Sequence, residues 1–440
     1  MVRKSLVALG ALALSVGAWS VLAVEPEGGS PDVIVGLLPD LSNHGSTGSI
    51  QAYSIGTTSC NVGDAELNWI AGDNRHPVIG GNLYQVKDGR LRQVGYSWLK
   101  HGFTALQGSV CATAEDPCIP SGTGSRLGVG CSDPYTSSLN GGRPMGLRRE
   151  VNATRGYYPN TWQEPSCPGG CSTIEQRLQA HRDDLTSGNG ELYFYEAQYV
   201  TADDAMAGNG LNNASYRPVT VNGSFGMSLT GSTVQAMPAI YAWQAADSGV
   251  HIDEVMFQTT GGPAPAADDR FPALPDPPEL LHVGTRIHDE GKGQYRWEIA
   301  VHNLNSHRSV QSVTVPIPPN ATVSTIGFHD VDAHSGEEAV ISTVDWSQPA
   351  TPVVAGAGGT TVTWATETFA QNPNANAIRW GTTYSFWIIA DAPPAPGSQI
   401  TLGLFRTPGS PTAVNASMFG TLFDDGFESG NTSAWSSTVP

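Results

Sequence analysis

The run Asn82-Leu83-Tyr84-Gln85-Val86-Lys87-Asp88-Gly89-Arg90-Leu91-Arg92-Gln93-Val94 decides how the chain is read. Two stretches that mix polar and apolar residues flank an Asp-Gly step. That step supplies the positive φ that a tight turn needs, so the segment predicts strand, turn and antiparallel strand. The same grammar recurs outward from it. Downstream, Glu191-Leu192-Tyr193-Phe194-Tyr195-Glu196 reads as a strand, and others are expected near 215–221, 224–230 and 251–258. Upstream, ordered structure is expected to begin at Asp32-Val33-Ile34-Val35. The 51 Gly and 31 Pro of this 440-residue chain suit many short strands joined by turns.

Residues 261–280 carry Pro263, Pro265, Pro272, Pro275, Pro277 and Pro278. Proline cannot donate to a strand ladder, so this stretch reads as a linker. Beyond it, Val283–His288 and Gln294–Val301 alternate around the turn Asp289-Glu290-Gly291-Lys292-Gly293. More strands are expected at 309–315, 323–328, 338–342, 360–365, 382–389 and 399–405. Strands at this spacing predict an Ig-like antiparallel β-sandwich over 281–407. The expected fold class is mainly β. A disulfide-supported β-rich N-terminal domain over 32–260 carries one docked helix, and the sandwich follows the linker. The helix is expected after Ser172-Thr173-Ile174-Glu175, a capping-box pattern, with Ile174, Leu178 and Leu185 on one face. Trp297, Trp364 and Trp380 are expected in the sandwich core.

Residues 1–23 read as a cleaved signal peptide. Arg3 and Lys4 precede the apolar run Leu6 to Ala18, and Val21 and Ala23 mark a cut before Val24. The protein is therefore expected outside the cytoplasm, secreted or at the cell surface or periplasm. No later run reaches the roughly 20 apolar residues of a span, so no transmembrane segment is expected in the mature chain. The formal charge is −18, from 22 basic and 40 acidic residues. Such a surface repels phosphate backbones and argues against nucleic acid as a partner.

All six cysteines lie between Cys60 and Cys171. An even count in an exported chain reads as disulfides. The expected pairs are Cys111–Cys118, Cys167–Cys171 and Cys60–Cys131, with a zinc site built on Cys167 and Cys171 as the competing reading.

No Gly-x-Ser-x-Gly elbow, His-Glu-x-x-His motif or phosphate-binding loop occurs. The strongest candidate site joins His76, His101 and Asp73. Two imidazoles and a carboxylate could hold a transition metal, or form a general base with its orienting acid. The competing reading is a loop histidine packed by Trp98 and Phe103. Asp203, Asp204 and Asn209, with Asn212 and Asn213, offer oxygen ligands for Ca²⁺, or simply build turns. Glu191 and Glu196 with Asp203 could form an acid/base pair acting on a glycan. His302, His307, His329 and His334, with Asp330, Asp332 and Glu337, are read as solvated loop residues; the competing reading is a Ca²⁺ loop at Asp330-x-Asp332, whose expected glycine falls one position late at Gly336.

The segment Phe423-Asp424-Asp425-Gly426-Phe427-Glu428-Ser429-Gly430-Asn431-Thr432-Ser433-Ala434-Trp435-Ser436 resembles the short tails that end many exported bacterial proteins. That resemblance implies a sorting or attachment role for 423–440. Ser97-Trp98-Leu99-Lys100-His101-Gly102-Phe103, Gly130-Cys131-Ser132-Asp133-Pro134-Tyr135 and Asn376-Ala377-Ile378-Arg379-Trp380-Gly381-Thr382 resemble exported two-domain proteins of environmental bacteria. That family implies export and two parts, and no activity. The expected function is a secreted or cell-surface binding or structural protein that recognises a glycan or envelope component. The alternative is a secreted hydrolase or metal-dependent enzyme centred on His76 and His101.

Overall fold

The computed structural model describes residues 29–159, 170–260, 276–332 and 341–418. The signal peptide, Cys167, residues 261–275 of the linker, His334, Glu337 and the tail lie outside the described residues. The fold is mostly antiparallel β-sheet.

The hairpin forms as its sequence dictates. Val78–Lys87 pairs with Arg90–Tyr96 across a turn in which Asp88 and Gly89 both have positive φ (53° and 77°). It lies at the centre of an eight-stranded sheet. Its neighbours on one side are Leu192–Val200, Ala214–Val221 and Met227–Leu229. On the other side lie Leu178–His181, Ile50–Ile55 and Leu41–Thr47. A three-stranded sheet of Val33–Leu37, Thr57–Asn61 and Ser132–Tyr135 shares an apolar core with one face of it, around Val33, Val35, Tyr53, Leu83, Tyr193 and Tyr195.

The second half is a sandwich. A six-stranded sheet has the order His251–Phe257, Glu279–Gly291, Gln294–Asn303, Thr382–Ala390, Thr322–His329, Val353–Val354. A four-stranded sheet has the order Thr360–Ala365, Val310–Ile317, Gln399–Leu404, Ala413–Ser417. Trp297, Trp364 and Phe386 are fully buried between them, among Val, Ile and Leu side chains. His251–Phe257 pairs along its whole length with Glu279–Gly291, and Ala413–Ser417 pairs with Gln399–Leu404. The second half's sheets therefore reach from 251 to 417.

Three expectations are corrected. The first is the helix after Ser172. Half of its capping box forms, with the Ser172 amide donating to the Glu175 carboxylate at 2.7 Å. Gln176 then adopts φ 66°, and Leu178–His181 becomes a strand between Ile50–Ile55 and Arg90–Tyr96. Two ladders outweigh the local helix signal, since an isolated helix of this length is marginal. Ile174, Leu178 and Leu185 are buried all the same. The docked helix is Ile240–Ala246, whose Trp243 packs on Gly284 of the sandwich.

The second correction is the disulfide pairing. The bonds are Cys60–Cys111, with Cα atoms 5.9 Å apart, and Cys118–Cys131, at 4.4 Å. Cys171 is disulfide-bonded too, and there are no free cysteines among the described residues. Cys60 lies in a strand and Cys131 directly precedes the strand paired with it, yet each sulfur meets the intervening loop instead of the other. The third concerns Trp380. It is buried, but against Val78, Leu99, Val151, Tyr158 and Val200 of the first half, not in the sandwich core.

Candidate functional site

Strand periodicity places Asn82, Tyr84, Leu91 and Gln93 on the hairpin face opposite the first core. That face meets the six-stranded sheet across a seam of buried polar contacts. The Thr383 amide donates to the Gln93 side chain (2.7 Å), Ser385 to the Leu91 carbonyl (2.5 Å) and Thr383 to the Tyr84 hydroxyl (3.2 Å). Arg90 forms a bidentate ion pair with fully buried Glu298 (2.5 and 2.8 Å). Glu196, also fully buried, accepts from Asn82, Tyr84 and the Ala239 amide. Burial raises its carboxyl pKa.

Arg148 is the main strut of the seam. Its guanidinium donates to the carbonyls of Ser97 (2.7 Å), Gly81 (2.9 Å) and Gly381 (3.2 Å), and to the Asn82 side chain (2.9 Å). The Trp380 indole N–H donates to the Arg148 carbonyl at 3.1 Å. Gly381 has φ 69°, and a Cβ there would lie 2.6 Å from the Arg148 guanidinium, so glycine is required on both counts. The Asn376–Thr382 phrase thus packs its Trp-Gly step onto the first half.

Two cavities open along this seam. The larger, about 650 Å³, is lined by Gln93, Gln179, His181 and Asp184 from the first half and by His329, Asp330, Asp332 and Asp345 from the second. Burial, reinforced by Asp332 and Asp345, pushes Asp330 up to about 6 even though Asn376 donates to it. Burial also raises Asp332, with Asp184 and Asp345 adding repulsion. His329 bonds the Gln93 carbonyl at 3.2 Å. The smaller cavity is about 50 Å³. Val331 lines both.

His76 and His101 are brought together, their rings edge to face with centroids 6.0 Å apart. The first is built into the fold. Its Nδ1 lies 2.7 Å from the Pro77 carbonyl and 3.2 Å from the Gly102 amide. Its Nε2 lies 2.9 Å from the Phe103 carbonyl and 3.1 Å from the Phe103 amide. Either neutral tautomer satisfies one donor and one acceptor in this cage, and burial pushes its pKa down to about 4. Asp73 is engaged by the Arg75 guanidinium. The ring nitrogens of His76 are thus occupied by main chain.

The residues considered for calcium hold the N-terminal strand. Asp204, fully buried and pushed up to about 8 by burial, accepts from the Val33 amide (2.9 Å) and Asn213 (2.7 Å). Asp203 accepts from the main chain and side chain of Asn68, and Asn209 donates to Ser30 and Pro31. Here the asparagines act through their N–H groups, whereas a cation would need their oxygens. Among the described residues no group of three or more His, Cys, Asp or Glu is placed to hold a metal. Glu191 bonds Thr186 and Asn189, so Glu191, Glu196 and Asp203 serve three separate partner sets.

The solvated-loop reading of the sandwich histidines is corrected as well. His302 is fully buried, its ring tilted against that of His282 on the neighbouring strand with centroids 5.5 Å apart, and it is bonded to Thr383. His307 lines the smaller cavity, while Asp330 and Asp332 line the larger. The seam was missed because its members lie over 200 residues apart. The one available signal was the pair of polar residues Asn82 and Gln93, set inside neighbouring strands that also carry Leu83, Val86, Leu91 and Val94.

No family model matches the chain, and no curated protein matches it. Among solved structures, it is matched to the collagen binding domain of the surface protein RspB of Erysipelothrix rhusiopathiae. That match has 10% identity, covers 87% of this chain and 94% of that one, and has a TM-score of 0.16, too low to carry an argument.

Proposed function

We propose that the chain is an exported binding protein that holds a polyhydroxylated ligand, a glycan or another envelope component, in the larger seam cavity. The observation behind this reading is the cavity itself. Its volume lies in the range of small-molecule sites, about 300–1,000 Å³. Carboxylates from both halves and the carboxamides of Gln93 and Gln179 from the first face it, and these groups donate and accept in the pairs that neighbouring hydroxyls require. Export is supported by the disulfides, which persist in oxidising compartments. Among the described residues no helix is long and apolar enough to cross a membrane. The hydrolase or metal-enzyme alternative has less support, because the main chain already occupies the nitrogens of His76.

The test is binding of the full chain to a panel of neutral and acidic polysaccharides and cell-wall fragments, with Asp332→Asn and Gln179→Ala alongside. Each variant is expected to weaken binding about tenfold, as loss of one hydrogen bond to a charged or well-placed group does. If both variants bind every panel member as the parent does, the cavity is not the site.

A further inference from the structure

A pair of buried histidines sits where the two halves meet, and we infer that the join is an acid-operated latch, closed at neutral pH and opened when His282 and His302 take up protons. The larger cavity draws its wall from both halves, so opening divides it. The latch does not depend on what that cavity holds.

The connectivity allows such a motion. Every strand of the first half's sheets ends by Leu229, and every strand of the second half's begins at or after His251. The chain crosses from one half to the other once, through residues 247–250, directly after the helix Ile240–Ala246. One short segment is therefore available as a hinge.

The geometry supplies the trigger. Glu254, His282, His302 and Thr383 stand directly opposite one another on four successive strands of the six-stranded sheet. This row faces the first half. His282 meets the ring of Tyr241 edge to face at 5.5 Å, and Thr383 donates to the Tyr84 hydroxyl. Because the Thr383 proton goes to Tyr84, its oxygen accepts from His302 at 2.9 Å, which places the ring proton on Nδ1. Nε2 of His302 is then a bare lone pair without a partner, and Nδ1 of His282 has no partner either. The two side chains are only 0% and 2% exposed.

The titratable groups around the pair are Tyr241 and Glu254 on the helix side, and Tyr84 and Glu196 across the join, with Arg148 beyond. Glu254 is engaged by the Tyr241 hydroxyl. Glu196 accepts from Asn82, Tyr84 and the Ala239 amide, all of the first half, so it keeps these partners when the join opens. Neither carboxylate bonds an imidazole, so a proton on either ring creates a buried charge with no counter-ion in contact.

Burial lowers His282 from 6.5 to about 3, and burial together with His282 lowers His302 as well. Opening returns both rings to water and to their ordinary range. Below pH 6.5 the open form therefore binds the extra protons, and acid favours it. For His282 alone the ratio of open to closed rises about thirtyfold by pH 5, and His302 acts in the same direction. Asp330 pulls the other way. Burial pushes it up to about 6, which favours the closed form by at most about tenfold at pH 5. The two histidines together outweigh it.

The experiment is small-angle X-ray scattering of the full chain from pH 7.5 to 4, with far-UV circular dichroism and tryptophan emission at each point. Below about pH 6 the radius of gyration should rise reversibly. Emission should move to longer wavelength as Trp380 leaves its contacts with the first half, while the β-sheet signal stays unchanged. In the double variant His282→Phe with His302→Asn, the ratio of open to closed at the parent's midpoint should fall at least about tenfold. Asparagine keeps a donor where Nδ1 stood and has nothing to protonate. If the double variant does not fold, His302→Asn alone should lower the ratio at least about threefold. A radius that stays constant to pH 4 overturns the latch. Expansion that coincides with loss of the β-sheet signal is unfolding and overturns it too. Opening at the same pH in parent and variant assigns the trigger to other groups and overturns the role of the pair.

Discussion

Replacing Arg148 by Met should unlock the seam. Four acceptors lose a hydrogen bond: the carbonyls of Ser97, Gly81 and Gly381 and the Asn82 side chain, of which the Gly81 carbonyl keeps the Ser97 amide at 2.8 Å. Each buried acceptor left unsatisfied costs about 1–3 kcal/mol. Relief from burying the guanidinium offsets part of that sum, and removing one partner of a buried charged network typically costs about 3–5 kcal/mol. Against a domain stability of about 5–15 kcal/mol this is a large fraction. Three acceptors belong to the first half and one to the second, so the loss should also uncouple the halves. Urea unfolding followed by tryptophan fluorescence should show a transition about 3–5 kcal/mol weaker and split into two steps. Arg148→Lys, which keeps the charge without the planar fork, should cost less. A loss under about 1 kcal/mol with a single sharp transition would refute the strut.

Two further predictions concern stability. On the chain-entropy argument, rings of the observed sequence separations, 51 and 13, contribute about 4 and 3 kcal/mol. Cys60→Ser with Cys111→Ser should therefore lower the urea midpoint more than Cys118→Ser with Cys131→Ser, and the reverse order would contradict the pairing. His282→Phe should blunt acid sensitivity. Burial lowers the folded pKa of His282 from 6.5 to about 3, so between those values the unfolded chain binds the extra proton. Stability from this group is complete above pH 6.5 and falls as pH drops, by about 2 kcal/mol at pH 5. Buried Asp204, raised to about 8, slopes the other way, losing stability as pH rises through that value. The difference between parent and variant at pH 7 and pH 5 therefore isolates His282. Equal acid sensitivity in both proteins would show that its burial does not govern protonation.

Local chemistry wrote the hairpin at Asp88-Gly89, the strand begun at 191–196, the sandwich strands expected at 283–288, 294–301, 309–315, 323–328, 360–365, 382–389 and 399–405, and the fate of Trp297 and Trp364, because each follows from alternation and turn geometry within a few residues; the strand expected at 338–342 falls largely outside the described residues. The capping box at Ser172–Glu175 shows the limit of such reasoning. The box half-formed, but ladders to strands 50–55 and 90–96, distant in sequence, decided the conformation. The pairing expected among Cys60, Cys111, Cys118 and Cys131 failed for a related reason. Spacing suggests which rings can close, while the position of each sulfur depends on which strands become neighbours.

From its sequence alone the chain was bound to be an antiparallel β-protein with an acidic surface and disulfides. Periodicity of two, turn chemistry and composition act locally or in sum, and need no knowledge of partners. Only the tertiary structure decided that two polar sheet faces meet, with Arg148 across the join and paired cavities beside Val331. Charge convergence and hydrogen-bond satisfaction are properties of distance in space, and residues that meet there, such as Arg90 with Glu298 and Tyr84 with Thr383, are 208 to 299 positions apart in sequence.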